Sequence, residues 1–276
     1  MSNKIKIFVQ RVKVLIQNLE AEVLASCRVG ADVYLLRLQA PTIAEIARPG
    51  QFVHVRCSET LDPLLRRPLS IHDIGDGGGL VFLYQVRGRG TAWLARQQAG
   101  SRIDILGPLG RGFTLTTNKR IALVAGGLGI VPLLFIARQA LENGNQVDFF
   151  YGARDRERLY QRETLQAMGV NLLLATDDGS AGFRGPVTKL WEQYLKERRY
   201  ERAYACGPRE ELAEFAHLAA RYDIPAEVSL EERMACGLGA CRGCVTTLRD
   251  TTGNRYYENV CTGGPVFDAA AVEWEG

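Results

Sequence analysis

The chain of 276 residues has no run approaching 18 consecutive apolar residues, so no helical membrane span is expected. It has no block of five or six like charges, and its net charge of +3 is too small and too dispersed to point to nucleic acid. Residues 1–18 alternate Lys and Arg with apolar residues, without the unbroken apolar stretch or the A-x-A site of a secretory signal. Internal repeats and low-complexity segments are missing as well. These absences lead to the expectation of a soluble, cytoplasmic protein. Apolar residues at 46% and charged residues at 24% match an ordinary globular chain and exclude disordered, collagen-like and coiled-coil classes.

Single cores seldom keep growing beyond roughly 250 residues, so more than one domain is expected. Segments 21–29, 33–39, 51–57, 69–74, 80–86 and 103–106 read as short strands bounded by Gly, Pro or Asp, with a short helix near 91–98. That spacing suggests an antiparallel barrel. After Asn118 the period changes: strand-length apolar runs at 121–125, 147–151, 170–176 and 203–206 alternate with helical patterns at 164–168, 187–196 and 212–220. Ile130, Leu134, Ala137 and Leu141 recur at spacings of four, three and four, placing them on one helix face. The alternation predicts a parallel sheet covered by helices. The tail after Pro225 shows no such pattern and is dominated by Cys and Gly.

Four of the seven cysteines fall in the last 41 residues, while Cys27, Cys57 and Cys206 stand alone. This distribution suits a metal site better than a disulfide framework. Cys236, Cys241 and Cys244 have the spacing C-x4-C-x2-C, with Cys261 as a distant fourth, the plant-type ferredoxin arrangement for a [2Fe–2S] cluster. Gly237, Gly239 and Gly243 allow the loop to fold tightly and aim N–H groups at sulfur. The alternative is a structural zinc site, although zinc modules present two close pairs rather than three plus one.

The strand at 121–125 runs into Gly126-Gly127-Leu128-Gly129 and then into a helix with Pro132 in its first turn. A Gly-rich turn at a helix N-terminus lets a pyrophosphate approach backbone N–H groups, though such turns also serve tight packing. Asp177-Asp178 and Cys206-Gly207-Pro208 close two further strands at the carboxyl ends where open α/β sheets bind ligands. The bland alternatives are a solvated turn for the aspartates and a small buried hydrophobe for Cys206. In the first half, Arg66-Arg67-Pro68-Leu69-Ser70 opens a strand and Gly88-Arg89-Gly90-Thr91 opens the short helix, so an arginine fork, a hydroxyl and a helix start are available to neutralise a diphosphate. A surface arginine in a turn is the competing reading.

Taken together, these motifs resemble the ferredoxin–NADP reductase superfamily, and within it the iron–sulfur electron-transfer subunits of class 1B dihydroorotate dehydrogenases. Arg67-Pro68-Leu69-Ser70 is similar to the R-P-x-S flavin motif, Gly90-Thr91 to a second pyrophosphate contact, and Gly107-Pro108-Leu109-Gly110 with Gly112-Phe113 to the G-P-L-G-x-G-F signature. Gly126, Gly127, Gly129 and Pro132 resemble the nucleotide loop, and Tyr151-Gly152-Ala153-Arg154 and Cys206-Gly207-Pro208 match further members. Cys261 with Pro265-Val266-Phe267 resembles a C-x-D-G-P-V-F ending in which Gly263 stands where Asp is expected.

The resemblance implies an FAD-binding β-barrel at 1–116, an NAD-binding α/β domain at 117–225 and a [2Fe–2S] region at 226–276. It places Tyr84, Gln85 and Val86 at the flavin and assigns Cys206 a catalytic place beside it. It also implies a hetero-oligomer with an FMN-containing dihydroorotate dehydrogenase catalytic subunit. Asp177 and Asp178 favour NAD over NADP, because carboxylates accept hydrogen bonds from a ribose diol and repel a 2′-phosphate. Flavin suits the position between NAD, which exchanges hydride, and a cluster that passes single electrons. Two rivals are a flavin subunit of a ferredoxin:NAD(P) oxidoreductase or sulfhydrogenase, and a non-catalytic redox-sensing or zinc-stabilised module.

Overall fold

The computed structural model describes residues 16–274, so most of the N-terminal segment 1–18 considered above lies outside the described residues. Seven strands build the first sheet: β1 (Gln17–Arg28), β2 (Val33–Gln39), β3 (Phe52–Val55), β4 (Arg67–Ser70), β5 (Asp73–Gly75), β6 (Gly79–Gln85) and β7 (Arg102–Leu109). Two short helices, α1 (Pro41–Ala44) and α2 (Arg89–Leu94), accompany them. The sheet is antiparallel, in the order β4-β3-β7-β1-β2-β6-β5. In β1 the alternation that marks a half-buried strand is visible, with Ala21 and Val23 buried and Glu20 and Glu22 exposed.

The segment 69–74, expected as one strand, is two. β4 pairs with β3 at one end of the sheet and β5 pairs with β6 at the other. Between them the Ile71 N–H donates to the Gln51 carbonyl at 3.0 Å and the His72 N–H to the Val81 carbonyl at 2.9 Å. Two residues therefore carry the chain from one sheet edge to the other. This curls the sheet into a half-barrel without a ladder between β4 and β5.

The second sheet takes β8 (Arg120–Gly126), β9 (Gln146–Ala153), β10 (Asn171–Thr176), β11 (Phe183–Arg184), β12 (Arg202–Cys206) and β13 (Ala226–Ser229). A hairpin of β14 (Val245–Arg249) and β15 (Arg255–Asn259) lies apart, and β16 (Val266–Asp268) returns to the sheet. The order β11-β10-β9-β8-β12-β13-β16 is parallel except for the last strand. The sheet thus continues past Pro225, because β13 and β16 from the Cys- and Gly-rich tail extend it. Helices α3 (Ile130–Glu142) and α4 (Arg162–Met168) cover one face, while α5 (Val187–Glu197) and α6 (Arg209–Arg221) cover the other. On the second face Trp191 and Phe215 stack with ring centroids 4.7 Å apart.

Helix α3 is buried well beyond the single face expected from its periodicity. Every residue from Ile130 to Ala137 is buried, because the helix lies between the parallel sheet and the half-barrel, whose core includes Phe135. Two polar links fasten this junction. His72 Nδ1 lies 2.9 Å from the Val131 carbonyl, and Arg138 makes a two-pronged bond to Asp73 at 2.6 and 3.0 Å. Replacing Arg138 by Ala leaves the Asp73 carboxylate, itself only 12% exposed, without its cation. The expected loss is about 1–2 kcal/mol, discounted because Arg138 is partly solvated. It is read as a lower urea midpoint; an unchanged midpoint would remove this pair from the junction.

Candidate functional site

The strand order reverses between β8 and β12, and a crevice opens at their carboxyl ends, the position where open α/β sheets take ligands. A cavity of about 650 Å³ fills it. Gly126, Gly127, Gly129, Asp177, Gly207 and Pro208 line this cavity together, as do Gly152, Ala153 and Arg154. The glycines are there for steric reasons. A Cβ on Gly129 would overlap the Cys206 carbonyl oxygen, and Gly127 adopts φ +54°. Asp178 does not line the cavity; its carboxylate accepts from the Ser180 hydroxyl at 2.6 Å and N–H at 2.9 Å, and these bonds hold it below the usual carboxylate range. Cys206 sits behind the wall, buried at the end of β12, where burial pushes its thiol well up and keeps it protonated.

A second cavity of about 270 Å³ lies between the half-barrel and α3. Arg67, Pro68, Leu69, Ser70, Tyr84, Gln85 and Thr91 line it, and Pro132 belongs here rather than with the glycine loop. The Arg67 guanidinium lies against Gly90, where a Cβ would come within 2.9 Å of Nε, so the two expected diphosphate contacts meet. Val86 and Gly90 are absent from the lining. Thr91 Oγ1 accepts the Arg87 N–H at 2.9 Å and so closes the start of α2. The Tyr84 hydroxyl is buried without a hydrogen-bond partner, and burial raises its ionisation. An orphaned donor in a cavity whose wall mixes apolar side chains with Arg67, Ser70, Gln85 and Thr91 fits a flat, polar-edged ligand such as a flavin.

The two cavities share Gln85, Arg87, Leu128 and Glu231. Of these, only Gln85 was expected from the sequence. Glu211, Tyr160 and Arg158 also line the larger cavity without having been expected. Glu211 follows Pro208 by three residues, in the first turn of α6, where a carboxylate ordinarily reads as a solvated helix start.

In the tail, Cys236 Sγ accepts the N–H groups of Leu238 and Cys241, each at 3.4 Å, and Cys241 Sγ accepts that of Gly243 at 3.4 Å. The Leu238 N–H, then that of Cys241, brings the Cys236 thiol down to about 6. Burial, then the neighbouring Cys244, pushes Cys261 up to about 11. Gly237 and Gly239 have φ of +69° and +81°, while Gly243 meets nothing closer than 3.6 Å at its Cβ position. Among the described residues no three His, Cys, Asp or Glu side chains converge on one point as a single metal ion requires. The backbone N–H groups aimed at Cys236 and Cys241 suit thiolates that carry the negative charge of an iron–sulfur cluster.

The cluster loop touches the half-barrel directly. A Cβ on Gly237 would fall 2.7 Å from the His54 ring, and His54 pairs in register with Pro68 of the Arg67–Ser70 strand. His54 is fully buried, with neither ring nitrogen bonded; burial, then Arg66, lowers its ionisation to about 4. At Gly263, the Glu258 side chain occupies the space of a Cβ, and its Oε1 accepts the Asn259 N–H at 2.8 Å. An Asp there would collide with Glu258.

Residues 231–273 match the family model described as the iron-sulfur cluster binding domain of dihydroorotate dehydrogenase B, and residues 123–217 match the oxidoreductase NAD-binding domain. A relative from Desulforamulus reducens named dihydroorotate dehydrogenase B (NAD(+)), electron transfer subunit, is 43% identical, with 93% of this chain and 98% of the relative aligned. The chain belongs to this family of electron-transfer subunits. A member from Geobacillus kaustophilus is 40% identical over 92% of this chain and 98% of its own length. Among solved structures, a chain of an NADH-dependent reduced ferredoxin–NADP oxidoreductase aligns with TM-score 0.82 and 29% identity, over 92% of this chain and 90% of that one. The expected fold class, an antiparallel β unit, a parallel nucleotide unit and a cluster module, is that of the family.

The contact between Gly129 and Cys206 predicts that Gly129→Ala costs on the order of 3 kcal/mol or stops folded protein from accumulating. Gly169→Ala, at φ +83° but with nothing within 4 Å, should cost only the roughly 1–2 kcal/mol of left-handed backbone. Chemical denaturation compares the two, and equal losses would contradict the close-packed crevice.

Proposed function

We propose that the chain is the electron-transfer subunit of an NAD-linked dihydroorotate dehydrogenase, taking electrons from an FMN-bearing catalytic subunit through its cluster and delivering them to NAD+ in pyrimidine biosynthesis. One observation carries this reading: the smaller cavity adjoins both ports, sharing four wall residues with the nucleotide crevice and lying on the strand whose partner His54 meets the cluster loop. FAD in that cavity supplies the conversion between hydride and single electrons. Arg67, lying against Gly90, would hold its diphosphate with Thr91, and Tyr84, Ser70 and Gln85 would offer hydrogen-bonding groups to its polar edge. Leu128 and Val131 give the cavity an apolar wall, and Leu128 also lines the nucleotide crevice. Cys236, Cys241, Cys244 and Cys261 would hold the [2Fe–2S] cluster, and Cys206 would stand protonated behind Gly129 at the wall of the nucleotide crevice.

Asp177 supports NAD over NADP, because it faces the crevice and its carboxylate opposes a 2′-phosphate while accepting from a ribose diol. Asp178, turned to Ser180, supports the same turn rather than the ligand. The likeness to the ferredoxin–NADP oxidoreductase chain supports a second reading, a flavin subunit serving other iron–sulfur proteins; a large multi-cluster partner on purification distinguishes it.

Co-expression with candidate FMN subunits, scoring dihydroorotate-dependent reduction of NAD+ and of NADP+, tests the proposal. NAD+ reduction with at least one such subunit is expected, with NADP+ much the poorer acceptor. No activity with any of them sinks the dihydroorotate assignment, and comparable kcat/KM for the two nucleotides sinks the role given to Asp177.

A further inference from the structure

Among the described residues, Glu211 is the carboxyl of the nucleotide crevice that lies against the glycine loop itself. Its carboxylate oxygens fill the space where Gly126 would carry a Cβ, and Oε1 lies 2.7 Å from the Cβ position of Gly207. It therefore bridges the carboxyl ends of β8 and β12, the two strands that flank the switch point. Oε1 is buried and has no hydrogen-bond partner, although the residue lines the cavity. A buried polar atom left unpaired in a ligand crevice calls for a partner that the ligand brings.

We propose that Glu211 is a nucleotide-binding residue that takes NAD(H) in its protonated form, giving its O–H to an oxygen of the bound dinucleotide. The inference rests on the crevice being the NAD(H) site and adds to that reading a specific donor and a pH dependence. Ionised, the carboxylate would face the negative diphosphate at the Gly126–Gly129 loop and could donate nothing. The other titratable and charged groups around it are Asp177, Glu231, Arg87, Arg154, Arg158 and Tyr160 in the crevice wall, and the protonated Cys206 thiol at the end of β12. Burial first, then the charge of Asp177, lifts the Glu211 ionisation to about 7, so the switch falls within the neutral range. The sign follows: below that value the carboxyl carries its proton and binds; above it the proton must be taken up on binding, and affinity falls.

The test uses the oxidised full-length protein, loaded with flavin and cluster, and NAD+ as the probe in calorimetric titrations between pH 6 and pH 8. If only the protonated form binds, Kd rises about tenfold across that range, and about half a proton is taken up per NAD+ at pH 7. Glu211→Gln, which keeps a donor of the same shape, is expected to bind with a flat pH profile near the low-pH value of the unsubstituted protein. Glu211→Ala should also be flat but weaker at pH 6. NAD+ binding with no proton uptake at pH 7, or a slope that persists in Glu211→Gln, overturns the role of Glu211 while leaving the NAD site in place. No NAD+ binding at any pH overturns both.

Discussion

The structure depends on α3 being held between two sheets of different construction. Its buried residues Ile130–Ala137 close the core of the parallel sheet on one side, and Phe135 closes that of the half-barrel on the other. The Arg138–Asp73 pair and the His72–Val131 contact keep the helix from sliding. Because Leu128 lies in the turn that leads into this helix and in the walls of both cavities, the same packing that stabilises the domain pair sets the two cavities against each other. A one-ångström shift of α3 would be felt in both.

A second junction ties the tail to that arrangement. The Arg111 N–H donates to the Gly264 carbonyl at 2.5 Å, the Leu230 N–H donates to the Pro265 carbonyl at 2.9 Å, and Thr114 bonds Glu227 through both its N–H and hydroxyl. With β13 paired to β12 and β16 added antiparallel at the sheet edge, the cluster segment is anchored at both of its ends. The loop between them, which carries the thiols, then rests on His54. A redox chain needs fixed distances more than it needs strong binding, and the architecture supplies them through ordinary backbone pairing.

The parallel strands and the four thiols were legible because each depends on a local pattern: apolar runs of strand length, and ligand spacing. The switch within 69–74 was not, since the apolar pattern continues across Ile71 while the hydrogen bonding passes to the opposite edge. The strands at Ala226–Ser229 and Val266–Asp268 are too short to show a period, and only their neighbours in the sheet make them strands. The residues expected at a flavin and at a nucleotide fall in separate cavities, Arg67 and Tyr84 in the smaller and Gly126 and Gly129 in the larger. Glu211 stayed hidden because a glutamate in the first turn of a helix is ordinary; its meaning comes from two glycines distant in sequence that leave room for it. Gly263, a departure when read as sequence, is accounted for by the Glu258 side chain beside it.

The central claim is that the flavin cavity is the obligatory bridge between nucleotide and cluster. Electron paramagnetic resonance after anaerobic addition of NADH measures this directly, comparing the complete protein with protein that keeps its cluster but has been stripped of FAD. The account predicts a reduced-cluster signal only in the complete protein, restored to the stripped sample by added FAD. A signal of equal size and rate without flavin would contradict it.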